Sequence, residues 1–161
     1  PSRRDLHAFP TRRSSDLRWT HLRSPSLTRT FDPPADWSEM GLLSFRLHSA
    51  KATGAGFLLI LDSENPATEG SDYYSFGIKQ DWEGWREFRL PLAELGHARE
   101  PLGWNTIKGV TFTASGWNNT PHPEGVILLA DWRVTNEQRF GPTMDDAAFF
   151  AALDQIGRAH V

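Results

Sequence analysis

The chain has 161 residues, no cysteine, a formal net charge of −3 at pH 7, and a 12% aromatic share weighted toward its 7 tryptophans. That length suits one domain with a real core, perhaps with the edge of a second. The composition excludes disulfides and thiolate metal sites, argues against nucleic-acid partners, and contains no apolar run long enough to span a membrane.

In chain order, the first stretch, "RRDLHAFPTRRSSDL", shows no apolar periodicity, and the last, "QIGRAHV", breaks the pattern of the run before it. "RSSDL" (Arg13 to Leu17) and "QIGRA" (Gln155 to Ala159) can be encoded by the two strands of one DNA sequence. Both ends resemble translated sequencing-adapter DNA. Residues 1–17 and 155–161 are therefore expected to be library artefacts, to be set aside before fold reasoning, and the remainder to be a fragment of a longer protein. The competing reading is a basic arm for an anionic surface.

Between the ends, short apolar–polar alternations are separated by Gly, Pro, Asn and Asp, which predicts an antiparallel all-β domain over residues 18–137. A weak strand near "LTRTF" comes first. "LLSFRLHSA" places Leu43, Phe45 and Leu47 on one face, and the continuous run "AGFLLILDS" predicts a strand buried on both sides. "DYYSFGIKQ" aligns Tyr74, Phe76 and Ile78, and "WREFRLPL" aligns Phe88 and Leu90. A helical turn is expected at "PLAEL", opened by Pro91 and stopped by Gly96. "IKGVTFTAS" aligns Val110, Phe112 and Ala114, and "GVILLADWRV" closes the series. Six or seven such strands predict a two-layer β-sandwich. Residues 138–142 read as a linker through Gly141-Pro142, and residues 143–154 as the first helix of a further domain, with Thr143 as N-cap.

Trp82, Trp85, Trp104 and Trp117 each stand beside or near Gly, Asn or Asp, so loops and strand ends are expected to present several of them. Rings held that way stack on the apolar faces of pyranoses, while Asn, Asp, Glu and Arg bond the hydroxyls. Trp117, Trp82, Tyr73, Asn118, Arg99 and Trp104 are the candidate sugar-binding residues. Against this, tryptophan is good core filler, and Trp85 and Trp132 lie within strand patterns. At least two of Trp82, Trp104 and Trp117 accessible in one concavity would mark a sugar site; fewer would mark a structural module.

"LDSENPATEGSDYY" gathers Asp62, Glu64, Asn65, Glu69 and Asp72, oxygen ligands of the kind calcium takes, although a polar hairpin connection explains them equally well. Asp131, inside an apolar strand, needs a cation, a metal or hydrogen bonds, with an Arg or backbone amides favoured over calcium. Catalysis is poorly supported: Glu64, Asp81 and Glu83 are the available carboxylates for a glycosidase pair, and His21, His48, His97 and His122 lack metal spacing.

The motifs "DWEGWREFRLPLAEL", "GWNTIKGVTFTASGW" and "VILLADWRV" resemble a galactose-binding-like β-jelly-roll of the carbohydrate-binding-module type, over about Leu27 to Thr135. "GPTMDDAAFFAALD" resembles the entry to the helical catalytic domain of heparinase II/III-like polysaccharide lyases. The resemblance implies a non-catalytic module of a periplasmic or extracellular bacterial enzyme. Its partners would be a polysaccharide, with uronic-acid chains among the candidates, and the downstream catalytic domain. It also implies a structural calcium ligated by two adjacent acids of the last strand. Here that pair is Ala130-Asp131, leaving Asp131 alone as a ligand.

Overall fold

In the computed structural model, residues 17–137 are described. The expected linker at 138–142, the helix at 143–154 and the adapter-like ends at 1–16 and 155–161 lie outside them. Among the described residues, nine strands form two antiparallel sheets. The first sheet has the order β1 (Leu17–Thr20), β9 (Val126–Thr135), β3 (Leu42–Ser49), β6 (Gly84–Pro91). The second has the order β2 (Ser26–Ala35), β8 (Ile107–Thr113), β4 (Gly56–Asp62), β5 (Tyr73–Lys79), β7 (Gly96–Ala98). Together they make the expected sandwich.

The alternation predicted from sequence supplies the layer between the sheets. Leu43, Phe45 and Leu47 of β3 face Phe57, Leu59 and Leu61 of β4, with Val110, Phe112 and Ala114, and all are at most 2% exposed. Period-2 patterning puts such residues on one face of each strand, and only a second sheet can cover that face. Rings lock the layer: Phe45 stacks on Trp132 with centroids 5.5 Å apart and meets Phe112 edge-on at 5.8 Å.

Four local features depart from expectation. β1 begins at Leu17, one residue before the expected boundary, and Leu17 is buried opposite Leu129. β7 is an additional, very short edge strand. It follows the predicted helical turn, which is a 3-10 turn at Leu92–Glu94 after Pro91; Leu95 is already extended, so Gly96 opens β7 rather than capping a helix. β4 is buried on one face only, because Leu58 and Ile60 point to the outer side and are half-buried. Trp85, which a strand position suggested as core, lies on the outer face of the edge strand β6 at 40% exposure, with the Arg46 guanidinium 4.4 Å from its ring centroid.

Asp131 occupies a bulge in β9. The register with β3 shifts between Ser44 and Arg46, and Asp131 takes a left-handed φ of 55° there. An extra residue in one strand lets a polar side chain turn away from an apolar ladder. Its carboxylate lies 3.2 Å from Arg46 Nη1. This donor set does not fit calcium, which needs six to eight oxygens: a guanidinium stands beside the carboxylate, and among the described residues no group of three or more acids, histidines or cysteines is placed to hold a metal ion.

The interior also holds His21, fully buried at the end of β1. Its ring lies 4.4 Å from Trp19 and 5.6 Å from Phe57, centroid to centroid. Neither ring nitrogen finds a hydrogen-bond partner among the described residues. Gly125 packs against the imidazole, where an added Cβ would collide with the ring. Burial, with a smaller contribution from nearby His122, lowers the His21 pKa to about 4.

Candidate functional site

The outer face of the second sheet builds the site. Antiparallel pairing aligns Thr30, Gly109, Asp62, Tyr73 and Ala98 in one row across five strands, and Thr28, Thr111, Ile60, Ser75 and Gly96 in the next. Residues directly opposite one another share a face. The rows alternate small, hydroxyl-bearing and apolar side chains, so the surface is low enough to be walled by loops.

One wall is the loop after β8. Gly116 and Asn119 exchange backbone hydrogen bonds of 2.8 and 3.2 Å around Trp117 and Asn118, whose φ values are 52° and 67°. Two consecutive left-handed residues closed this way make a type I′ turn, which ordinarily takes Asn-Gly. Tryptophan in that conformation is strained, and the turn holds it out at 52% exposure. The indole Nε1 donates to the Tyr73 hydroxyl at 2.7 Å, and the two rings meet at right angles with centroids 6.0 Å apart. Asn119 secures the turn from below: its side-chain oxygen rests on Gly56, where any Cβ would collide with it.

The result is a cleft with two chambers. The inner one, about 200 Å³, is lined by Ile60, Asp62, Glu64, Ser71, Asp72, Tyr73, Thr111 and Trp117. The outer one, about 540 Å³, is bounded by Gly70, Ser71, Tyr73, Ala98, Arg99 and Trp117. Tyr73 and Trp117 belong to both. Arg99 also has a left-handed φ, of 57°, and its guanidinium lies against Gly70.

Asp72 positions the loops that carry these residues. It is fully buried, and its carboxylate accepts from the Asn65 amide (3.0 Å), the Glu100 amide (2.9 Å) and the Thr68 hydroxyl (2.8 Å). Burial alone would raise its pKa, but these hydrogen bonds, with Glu64 beside them, outweigh burial and hold it below the ordinary carboxylate value. Ser63 ties the same loops from the other end, donating to the Thr106 carbonyl at 2.8 Å and accepting from the Gly103 amide at 3.1 Å. Asp72→Asn is therefore expected to lower the melting temperature and to weaken ligand binding without removing any group that lines the outer chamber. Since the folded pKa is depressed, the stabilisation is present above the unfolded value near 4 and is lost as pH falls through the folded one. Melting curves from pH 7 to 3 should show the variant converging on the parent at the acid end.

The structure separates the sequence-nominated residues. Tyr73, Trp117 and Arg99 come together in the cleft, and Asn118 is exposed in the turn beside them. Trp82 does not join them. It is 8% exposed, its Nε1 donates to the Gly84 carbonyl at 3.0 Å, and Arg86 covers its ring. A tryptophan beside Asp81 and two residues before Gly84 has been folded inward because its indole N–H finds a partner within the turn itself. Trp104 is also elsewhere, stacked on Tyr74 at 3.7 Å between centroids and parallel to Trp37 at 6.4 Å, on the core side of the sheet. Only Trp117 of the three tryptophans lines the cleft, so the two-tryptophan mark of a sugar site is not met and this criterion falls on the side of a structural module. Of the acids nominated for catalysis, Glu64 lines the inner chamber, whereas Asp81 pairs with Arg86 at 3.4 Å and Glu83 lies near the Ala52 amide. Ile60, Thr111, Ser71 and Gly70 were not singled out from the sequence. Outward-facing Ile60 was hidden in an apolar run that reads as core.

No family model matches the chain, and no curated protein matches it. Solved structures do. The family 11 carbohydrate-binding module of the cellulosomal cellulase Lic26A-Cel5E of Clostridium thermocellum superposes with a TM-score of 0.53 at 14% identity, covering 69% of this chain. The chain spans 66% of that module's length. A structure of the family 11 module in complex with a β-1,3-1,4-mixed-linked tetrasaccharide gives 0.52 at 14% identity, covering 69% of this chain and 67% of that one. A family 30 carbohydrate-binding module gives 0.54 at 16% identity, covering 76% of each chain. These similar structures are carbohydrate-binding modules, and the likeness establishes a shared β-sandwich fold.

Proposed function

We propose that this chain is a non-catalytic carbohydrate-binding module of an exported bacterial polysaccharide-degrading enzyme. The observation that carries the reading is the cleft. It offers an exposed indole and a phenol ring for pyranose faces, with hydroxyl and carboxylate acceptors on its floor for sugar hydroxyls. The similar modules include one seen with a tetrasaccharide bound, which supports the same class of ligand. A polysaccharide lyase as the parent enzyme rests on the resemblance of residues 141–154 alone, and a uronic-acid-containing ligand on that resemblance and on Arg99 in the outer chamber.

Affinity electrophoresis of the chain in gels cast with neutral and uronic-acid polysaccharides tests the reading. Retardation in at least one gel, reversed by the free oligosaccharide, is expected. Unretarded migration in all of them would overturn it.

A second reading is favoured by one observation: only one of Trp82, Trp104 and Trp117 lines the cleft, fewer than the two set as the mark of a sugar site. In it the sandwich is a structural module whose outer face docks on a following catalytic domain. It predicts no retardation in any gel.

A further inference from the structure

Resting on the sugar-binding reading, we infer that the cleft discriminates charge along its length, taking an acidic substituent over Arg99 at its outer end and excluding one at its inner end. The two ends have opposite chemistry. At the inner end, Asp62 and Glu64 line the chamber, with the buried Asp72 behind them. One Asp62 oxygen accepts from the Glu64 amide at 3.0 Å, and Glu64, beside the Asp72 carboxylate, accepts a 3.5 Å contact from the Asp72 amide. Each carboxylate therefore keeps acceptor capacity directed to whatever enters. Carboxylates bond sugar hydroxyls well and repel another carboxylate or a sulfate.

At the outer end stands Arg99. Its side chain makes no ion pair or hydrogen bond with the described residues, a state it shares with Arg18, Arg23 and Arg133, but of these four arginines it alone lines the cleft. It sits in a strained backbone conformation, with Gly70 leaving the space that its guanidinium occupies. Such a fork presents paired donors to a planar carboxylate. Asp62, Tyr73 and Ala98 occupy neighbouring strands in one row, so Arg99 follows Asp62 by about two strand spacings, roughly 10 Å. Tyr73 and Trp117 lie between the ends and belong to both chambers.

A chain with isolated acidic units on a neutral backbone can place one such unit on Arg99 and a neutral unit on Asp62 and Glu64. A chain acidic at every unit cannot avoid the inner carboxylates. The ligand class is therefore a sparsely charged polysaccharide, and fully charged homopolymers are excluded.

The test uses affinity gels cast with neutral xylan, glucan and galactan, with glucuronoxylan, and with polygalacturonate. Glucuronoxylan is expected to bind about tenfold more tightly than neutral xylan, the scale of one hydrogen-bonded charge pair. Arg99→Gln should remove that advantage, and so should about 1 M NaCl, where screening acts within about 3 Å. Polygalacturonate should not bind the parent, and the double variant Asp62→Asn, Glu64→Gln, shown by its melting curve to be folded, should gain it. Polygalacturonate binding to the parent as tightly as glucuronoxylan, or an advantage unchanged in Arg99→Gln, would overturn the inference while leaving sugar binding intact. Binding of no polymer at all would remove the sugar-binding reading and this inference together.

Discussion

Trp117→Gly is expected to abolish sugar binding while leaving the fold as stable as before or more so. Trp117 holds φ at 52° as the first central residue of a type I′ turn. A non-glycine residue there costs about 1 kcal/mol, which glycine relieves. Offsetting this, glycine adds about 0.5–1 kcal/mol of conformational entropy to the unfolded chain, and the indole's exposed hydrogen bond to Tyr73 is lost. The net change should lie within about 1 kcal/mol of zero. Binding, in contrast, loses the more exposed of the two cleft rings, and central aromatic contacts are worth about 2 kcal/mol or more, a fall in affinity of at least about thirtyfold. Titration calorimetry and thermal melts on the same sample read both numbers. A purely structural role for the indole predicts the opposite pattern, a destabilised fold with no ligand to lose. A stable variant that keeps its affinity would remove Trp117 from the site.

That separation of stability from binding was only partly visible in the sequence. The inward faces were legible because alternation is a local property: Leu43, Phe45 and Leu47, then Tyr74, Phe76 and Ile78, then Val110, Phe112 and Ala114 all point as their period requires. The site was less legible, because Trp82 and Trp117 both stand beside an Asp or Asn and within two residues of a Gly. What distinguishes them is backbone conformation. Trp82 turns in and bonds Gly84, whereas the left-handed turn at Trp117 throws its ring out. A Trp-Asn pair gives no warning of a type I′ turn. Asp72 was left open by the sequence in another way. Its setting among acids suited a cation ligand and a polar hairpin connection equally, and Glu100, its partner 28 positions later, is brought to it by the pairing of β5 with β7. Ile60 looked like core because an apolar run carries no phase, and pairing then placed it beside Thr111 on the cleft floor.

His21 should make the domain acid-sensitive through a residue that touches no ligand. Its folded pKa of about 4 lies below the ordinary 6.5, because the imidazolium would have to form in a fully buried ring contact, without a hydrogen-bond partner, near His122. Above pH 6.5 both folded and unfolded chains hold the ring neutral, and the stability is fully present. Between 6.5 and 4 only the unfolded chain takes the proton, so stability falls with falling pH, by about 3 kcal/mol over the whole window. Below 4 both forms are protonated and the loss stops growing. Other groups titrate in the same range, so the difference from a variant isolates this one. His21→Leu replaces two unpartnered nitrogens with apolar surface and should be neutral or stabilising at pH 7.5. At pH 4.5 it should exceed the parent by between about 2 and 3 kcal/mol, a melting-temperature gap on the order of 10 °C. Denaturant titrations at the two pH values measure the gap directly. Parallel losses in parent and variant would mean that the buried imidazole accepts its proton in the folded state, and that the Gly125 segment opens to let it.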